Sequence, residues 1–250
     1  CSSTVPLLEA SVPVLCEKPL AVNESEVSKM IQAAQGTQTF LMEAMWTRHL
    51  PVYEEVLSWI NEGKIGEVVL VEASFGFNAP YVPESRLWNP DLAGGSLLDV
   101  GIYTLTLADL IYGSRPDEFS AKAELSPEGI DKHLGVVAKY PNGGLARLGS
   151  AINAAIGFSG RVTGTEGTIE IPLFWQAEKA TLTTNDSSEE ISIPHDVNGF
   201  EHQIREVKKC LESGVTESAV VPWSWSLSMS RLMDEIRSEI GVTYPADKEF

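Results

Sequence analysis

The chain has 250 residues, 43% apolar, 8% aromatic and 21% charged, which is a globular composition and excludes a collagen-like, coiled-coil or disordered chain. Its 35 acidic and 18 basic residues leave a formal charge of −17, which disfavours nucleic acid and anionic membranes as partners. No stretch reaches the roughly 18 uninterrupted apolar residues of a membrane span, and three cysteines without CxxC spacing argue against a disulfide framework or a zinc cluster. We therefore expect a soluble, cytoplasmic protein with free thiols and no metal site.

The opening residues predict a ligand-binding edge. The run 11–16, SVPVLC, is rich in strand-forming residues and is followed by Glu17, Lys18 and Pro19. A strand here delivers these three residues at its carboxyl end, which is where open α/β sheets bind ligands.

A helix and a second strand follow. Asn23 can cap a helix that Gly36 is expected to end, and the apolar run 39–44 predicts the next strand. Residues 1–45 therefore alternate between helix and strand, as in the C-terminal part of a parallel Rossmann-type sheet.

The remaining chain, 46–250, has a different pattern. Proline opens a helix over 51–62, alternating apolar residues over 69–77 indicate a half-buried strand, and the Asn142-Gly143 pair and the segment 161–171 indicate hairpins. This part is expected to be a larger α+β domain with an open, mostly antiparallel sheet, and the family resemblance described below implies that it binds substrate and dimerises. The fold class is thus α/β plus α+β.

Two late helices complete the pattern. Phe200, Ile204, Val207 and Leu211 are spaced to line one face of the first. The second spans about 229–240 and can pack back onto the N-terminal part. The polar stretch 183–190 is expected to be a surface loop.

The segment 94–113, GGSLLDVGIYTLTLADLIYG, predicts a buried helix with an acidic residue inside it. A desolvated Asp99 must be hydrogen-bonded, ion-paired or protonated, and Tyr103 lies four residues further on the same face. A purely structural role for both residues is an equally good interpretation of this segment taken alone.

Lys18 favours a catalytic interpretation. A lysine beside a phenol stabilises the phenolate and lowers its pKa from about 10. We therefore expect Lys18 to make Tyr103 a general base.

Four separated motifs carry a resemblance to a known family. They are VLCEKPLAVN, FLMEAMWTR, AGGSLLDVGIY and IGVTYPADK. Together they resemble the glucose-fructose oxidoreductase and inositol dehydrogenase family, and within it the dihydrodiol dehydrogenase branch, from about residue 5 to the last turn. Many family members have histidine where this chain has Tyr103. A tyrosine at this position is similar to the dihydrodiol dehydrogenase and glucose-fructose oxidoreductase branches.

The resemblance implies reversible hydride transfer between a substrate alcohol and NADP, with NAD less expected. It assigns catalysis to Lys18, Asp99 and Tyr103: the phenol takes the hydroxyl proton, the lysine holds the phenolate and the ribose, and the aspartate orients the substrate or the lysine. Trans-dihydrodiols of aromatic hydrocarbons and aldopyranoses such as D-xylose are the implied substrates.

Further site residues follow from the same resemblance. Glu17, Lys18, Pro19 and Arg48 are the candidate cofactor-binding residues. The candidate substrate-binding residues are aromatic: Trp46, Phe75 and Trp175. Each aromatic residue is equally well explained as core, and Arg48 as a solvated surface residue.

The family's GxGxxG phosphate-binding turn does not occur in this sequence. We therefore expect a chain that lacks the family's first βα units, either as a fragment of a longer, full-length dehydrogenase or as a naturally shortened protein. By itself it is expected to bind NADP weakly or not at all and to be inactive. A non-enzymatic or regulatory protein that associates through its sheet face is the alternative, and a hydrolase or lyase that uses nicotinamide transiently is a third. Relatives pair through the open sheet face, which implies a homodimer.

Overall fold

The structure, a computed structural model, describes residues 1–248. The helices in this part are α1 (Thr4–Glu9), α2 (Glu24–Thr37), α3 (Val52–Asn61), α4 (Ile102–Tyr112), α5 (Phe200–Glu212) and α6 (Trp223–Ile240). The first seven strands are β1 (Val14–Cys16), β2 (Leu41–Glu43), β3 (Val68–Asn78), β4 (Glu118–Leu125), β5 (Asp131–Lys139), β6 (Leu145–Ala151) and β7 (Asn153–Gly157). The last four are β8 (Ser159–Gly164), β9 (Gly167–Pro172), β10 (Lys179–Thr184) and β11 (Ser188–Ser192).

The N-terminal part has the predicted helix–strand–helix–strand order, and β1 pairs with β2 in parallel. Asn23 caps α2, because its side-chain oxygen accepts the Glu26 N–H at 2.9 Å. The prediction that Gly36 ends this helix is wrong. The helix continues through Gly36 to Thr37, and Gln38 takes the left-handed conformation that closes it.

The second sheet has nine strands in a mixed, mostly antiparallel arrangement, and β3 lies in its middle. This strand pairs with β6 in parallel and with β8 in antiparallel fashion. The predicted hairpins are present: β5 and β6 are joined through Asn142-Gly143, and β8 pairs with β9. The α/β plus α+β fold class is therefore confirmed.

Alternation along the strands sends one set of side chains to the core and the other to an open face. Val136 and Leu148 are buried, whereas Val137, Leu145 and Arg147 are exposed on the opposite face. The larger sheet therefore has one covered and one uncovered side.

Helix α4 is the centre of the larger core, where it packs on β3 and β6. Within the described residues, Pro90–Tyr112 is the one stretch long and apolar enough to cross a membrane by length and composition. As 83% of its apolar window is buried inside the fold, its position is that of a core helix.

Two later expectations are corrected. The stretch 183–190 belongs mainly to the hairpin of β10 and β11, because Thr183 pairs with Ser188. On α5 the predicted apolar face is only partly covered. Ile204 and Leu211 are exposed, Val207 packs partly buried against the core, and Phe200 packs on Trp46.

Helix α6 contacts both α2 and β4 and so connects the two sheets. Arg231 pairs with Glu24, and the 3₁₀ turn after the helix brings Asp247 to within 2.9 Å of the Asn23 amide nitrogen. The division of the chain at residue 45 stays a prediction.

Candidate active site

Three elements bring Lys18, Asp99 and Tyr103 together. Lys18 follows β1, Asp99 lies in a π-helical turn over Leu97–Gly101, and Tyr103 lies in the first turn of α4. Turns of this wider kind are frequent at functional sites.

Lys18 and Asp99 are directly connected. The Lys18 ammonium donates to the Asp99 carbonyl oxygen at 2.5 Å and lies 3.5 Å from its carboxylate. Arg86 donates to the same carboxylate oxygen at 2.8 Å. The Asp99 carboxylate is thus held by two cations, and Arg86, in an irregular loop, has no sequence signal that points to it.

Burial lowers the pKa of the Lys18 ammonium, and the neighbouring Asp99 carboxylate opposes that shift. The ion pair with Asp99 therefore favours the charged ammonium of Lys18 at a buried position that by itself favours the neutral amine.

The surroundings of Tyr103 differ from the expectation. Its phenol oxygen accepts the Trp46 indole N–H at 3.1 Å, and the Lys18 ammonium lies over the ring face, 5.1 Å from the centroid. Burial raises the pKa of Tyr103 to about 12, and the Trp46 hydrogen bond opposes the rise. The predicted lowering of this pKa is wrong here, because the ammonium is bound to Asp99 and not to the phenol oxygen.

Two buried acidic residues form hydrogen bonds with the segments that carry Asp99 and Lys18. Asp131 on β5 accepts the Ser96 hydroxyl and the Leu97 N–H, each at 2.7 Å, at the entry to the π-helical turn. Burial raises the pKa of Asp131 to about 6.

The second acid, Glu43, lies at the end of β2 and accepts the Leu20 N–H at 3.1 Å, two residues after Lys18. Burial raises the pKa of Glu43 to about 7. The sequence pattern identified neither acid, because their partners are distant in the chain.

A cavity of about 500 Å³ opens above the Tyr103 phenol. The predicted substrate-binding residues Trp46, Phe75 and Trp175 all line it, and Phe75 and Trp175 are stacked with centroids 4.2 Å apart. The sequence did not indicate the six other lining residues, which are Phe77, Arg86, Val100, Gln176, Asn198 and Phe200. Aromatic faces beside a few polar groups suit a ring-shaped molecule that carries hydroxyls.

A second cavity, of about 330 Å³, adjoins the first. Glu17, Lys18 and Pro19 line one side of it, and Gly94 and Gly95 present bare backbone. The two cavities share the side chains of Lys18, Arg86 and Asp99. A flat ring placed at this shared wall would lie next to the first cavity, so the residues fit a nicotinamide.

Arg48 is placed elsewhere and lines neither of these cavities. Its guanidinium donates to Asp109 at 2.6 Å and to the Val220 carbonyl at 3.0 Å, and it stacks on Trp225. These contacts are made with α4, with the segment before α6 and with α6 itself, and the cofactor-binding role of Arg48 stays a prediction.

Comparison with known proteins shows the family to which the chain belongs. Residues 53–170 match the sequence profile of the GFO/IDH/MocA C-terminal domain. The trans-1,2-dihydrobenzene-1,2-diol dehydrogenase of Mus musculus is 34% identical over 250 residues, covering 96% of this chain and 74% of that protein. The Homo sapiens enzyme of the same name is 32% identical over 249 residues, with the same coverage.

Solved structures agree with the sequences. The aldose-aldose oxidoreductase of Caulobacter crescentus superposes with a TM-score of 0.86 at 25% identity, over 95% of this chain and 72% of that one. KijD10, a 3-ketoreductase of Actinomadura kijaniata solved with NADP, has the same fold, with a TM-score of 0.86 at 23% identity over 96% and 74% of the two chains. The chain therefore belongs to the GFO/IDH/MocA family and is by family an oxidoreductase of the dihydrodiol dehydrogenase kind, a family whose members bind nicotinamide cofactors.

Proposed function

We propose that this protein is an NADP-dependent dehydrogenase that interconverts a small cyclic alcohol and its carbonyl product. The observation that carries the proposal is the convergence of Lys18, Asp99 and Tyr103 on the wall of one aromatic cavity. Relatives named as dehydrogenases of a dihydrodiol support it further.

When bound, the nicotinamide supplies the hydride acceptor or donor. Glu17, Lys18 and Pro19 would hold it from the β1 side, and the bare backbone of Gly94 and Gly95 would lie opposite.

The proton is handled by the chain itself. Because the pKa of Tyr103 is about 12, its phenol keeps its proton at neutral pH and can donate it to an alkoxide oxygen during carbonyl reduction. Alcohol oxidation runs the same step in reverse. The Trp46 N–H, 3.1 Å from the phenol oxygen, then stabilises the phenolate.

Lys18 and Asp99 form an ion pair at the wall of the cavity in which the alcohol would react. The Lys18 ammonium is anchored to Asp99, and Arg86 neutralises the carboxylate from the other side. Such a preorganised ion pair stabilises a developing alkoxide without having to rearrange.

The cavity indicates the substrate class. Stacked Phe75 and Trp175 offer flat apolar surface, and Gln176 and Asn198 offer hydrogen bonds for hydroxyls. This combination suits trans-dihydrodiols of aromatic hydrocarbons and aldopyranoses such as D-xylose.

The test is net formation of NADPH by the full-length protein from NADP and either trans-1,2-dihydrobenzene-1,2-diol or D-xylose. We expect stoichiometric NADPH and carbonyl product. Product formation without any net change in NADPH would contradict the proposal and indicate a lyase or hydrolase that uses nicotinamide transiently.

We also propose that the protein forms a homodimer through the open face of its larger sheet. Val137 on β5 and Leu145 on β6 are large apolar side chains exposed on that face, near the ion pair of Arg147 and Glu72. An apolar centre with a charged surround is the usual anatomy of a protein interface.

A further inference from the structure

We propose that the protein binds one zinc ion through His195, Glu201 and His202. These residues come from the loop after β11 and from the first turn of α5, and they lie outside the catalytic group. One ligand atom from each residue lies within 4.8 Å of the other two. Cysteine spacing predicts no metal site, but it does not bear on a set of two histidines and one glutamate.

The hydrogen bonding of His195 prepares it as a ligand. Its Nε2 lies 3.2 Å from the Gln176 carbonyl oxygen, and since a carbonyl only accepts, Nε2 carries the proton. This leaves a lone pair on Nδ1, which is buried and has no hydrogen-bond partner among the described residues. Zinc-bound histidines commonly donate their other ring N–H to a backbone carbonyl in this way.

His202 also has a buried ring nitrogen without a hydrogen-bond partner among the described residues. This nitrogen, Nε2, lies 3.9 Å from the Glu201 carboxylate. The rings of His195 and His202 have their centroids 5.7 Å apart. Two buried and unpaired ring nitrogens beside one carboxylate require a partner, because such atoms are costly to bury alone.

The backbone fixes the Glu201 carboxylate. Its oxygens accept the N–H groups of Val197, Asn198 and Gly199 at 3.0, 3.2 and 2.7 Å. Oε2 accepts two of these N–H groups, whereas Oε1 accepts one and keeps a second lone pair for an ion. The loop is thus folded around the carboxylate before any ion is bound.

Ligand chemistry selects the ion. Two imidazole nitrogens and one carboxylate are a set that zinc binds, with a water in the fourth position, whereas magnesium and calcium prefer oxygen ligands. Zinc–ligand distances of about 2.0–2.2 Å imply ligand atoms roughly 3.4 Å apart. The separation of the ligand atoms, at most 4.8 Å, must therefore close by up to roughly 1.4 Å, a movement that side-chain rotation supplies.

The position of this site links it to the substrate cavity. Asn198 and Phe200, which lie between the ligands in the chain, both line that cavity, and Phe200 packs on Trp46 at 4.5 Å. A bound ion would hold this wall of the cavity in place.

The experiment titrates metal-free full-length protein with zinc chloride in a calorimeter, with thermal unfolding measured in parallel. We expect one zinc per chain and a rise in melting temperature on zinc addition. His195→Ala and His202→Ala should each weaken binding at least tenfold and abolish the rise, while His133→Ala, which changes an exposed histidine on β5, should leave both unchanged.

Cobalt provides a readout that needs no variant. Wild-type protein should develop a saturable visible d–d spectrum with Co²⁺ that zinc removes, as expected for a site with nitrogen ligands and low coordination number. The proposal is overturned if wild-type protein binds no zinc, if cobalt gives no saturable spectrum, or if folded His195→Ala and His202→Ala proteins bind zinc like wild type.

Discussion

The proton of Tyr103 sets the pH dependence of the proposed reaction. Burial raises the pKa of its phenol to about 12, so the neutral form dominates throughout the physiological range. Carbonyl reduction needs the neutral phenol as an acid, whereas alcohol oxidation needs the phenolate as a base. We therefore expect kcat/KM for oxidation to rise with pH to at least pH 9, and kcat/KM for reduction to stay nearly level from pH 6 to 9.

Steady-state rates in both directions, measured in buffers of constant ionic strength, check this expectation. A plateau of the oxidation rate below pH 7 would show that the phenol ionises far more easily than its burial allows. The Trp46→Phe variant removes the indole N–H that favours the phenolate, so it should lower kcat/KM for oxidation and for reduction to a similar extent, because both directions pass through one transition state.

At the scale of elements, a buried acid on β2 supports the turn that carries Lys18. Glu43 accepts the Leu20 N–H, and burial raises its pKa from 4.5 to about 7. The folded protein therefore holds this proton more tightly than the unfolded chain does. The stabilisation that results is complete below about pH 4.5 and is lost as the pH rises through 7.

Glu43→Gln should remove this dependence. We expect the free energy of unfolding of the variant, relative to wild type, to increase by roughly 3 kcal/mol between pH 4.5 and pH 8. Urea unfolding across this range measures it. Glu189→Gln, on the exposed strand β11, should follow the wild-type curve, and parallel curves for wild type and Glu43→Gln would contradict the argument.

The sequence predicts those parts of the fold and of the site that depend on residues close together in the chain. The turn at Glu17–Pro19, the cap at Asn23 and the four-residue spacing from Asp99 to Tyr103 are local patterns, and the structure contains all of them. The roles assigned to the site residues stay predictions.

Contacts between distant parts of the chain leave no such pattern. Arg86 reaches Asp99 from an irregular loop, and Arg48 turns to Asp109, 61 residues away. The apolar spacing over 200–211 predicts a helix, and the structure contains α5 there. Periodicity alone does not say which face of that helix the rest of the fold covers.

At the scale of the whole molecule, the open sheet face is the expected dimer surface. Val137 on β5 is 54% exposed and lies opposite Arg147 on β6. We expect Val137→Glu to convert the dimer to a monomer, because it places a carboxylate that the dimer would desolvate beside Arg147, which is already paired with Glu72. Light scattering after size-exclusion chromatography measures the mass.

Val215→Glu is the matched control. Val215 is similarly exposed, at 46%, but lies after α5 and away from the sheet. It should leave the mass unchanged. A monomeric wild type, or a Val137→Glu variant with the wild-type mass, would contradict the proposal that the protein dimerises through the open sheet face.

The most direct test of the account compares two tyrosines of one helix. Tyr103 faces the cavity, whereas Tyr112, at the other end of α4, donates its hydroxyl to the Leu145 carbonyl at 2.7 Å. In full-length protein we expect Tyr103→Phe to lower kcat for NADP-dependent alcohol oxidation roughly 10²–10⁴-fold while the Kd for NADPH is unchanged. Tyr112→Phe should keep kcat near that of wild type, and a Tyr103→Phe enzyme that turns over as fast as wild type would contradict the central claim.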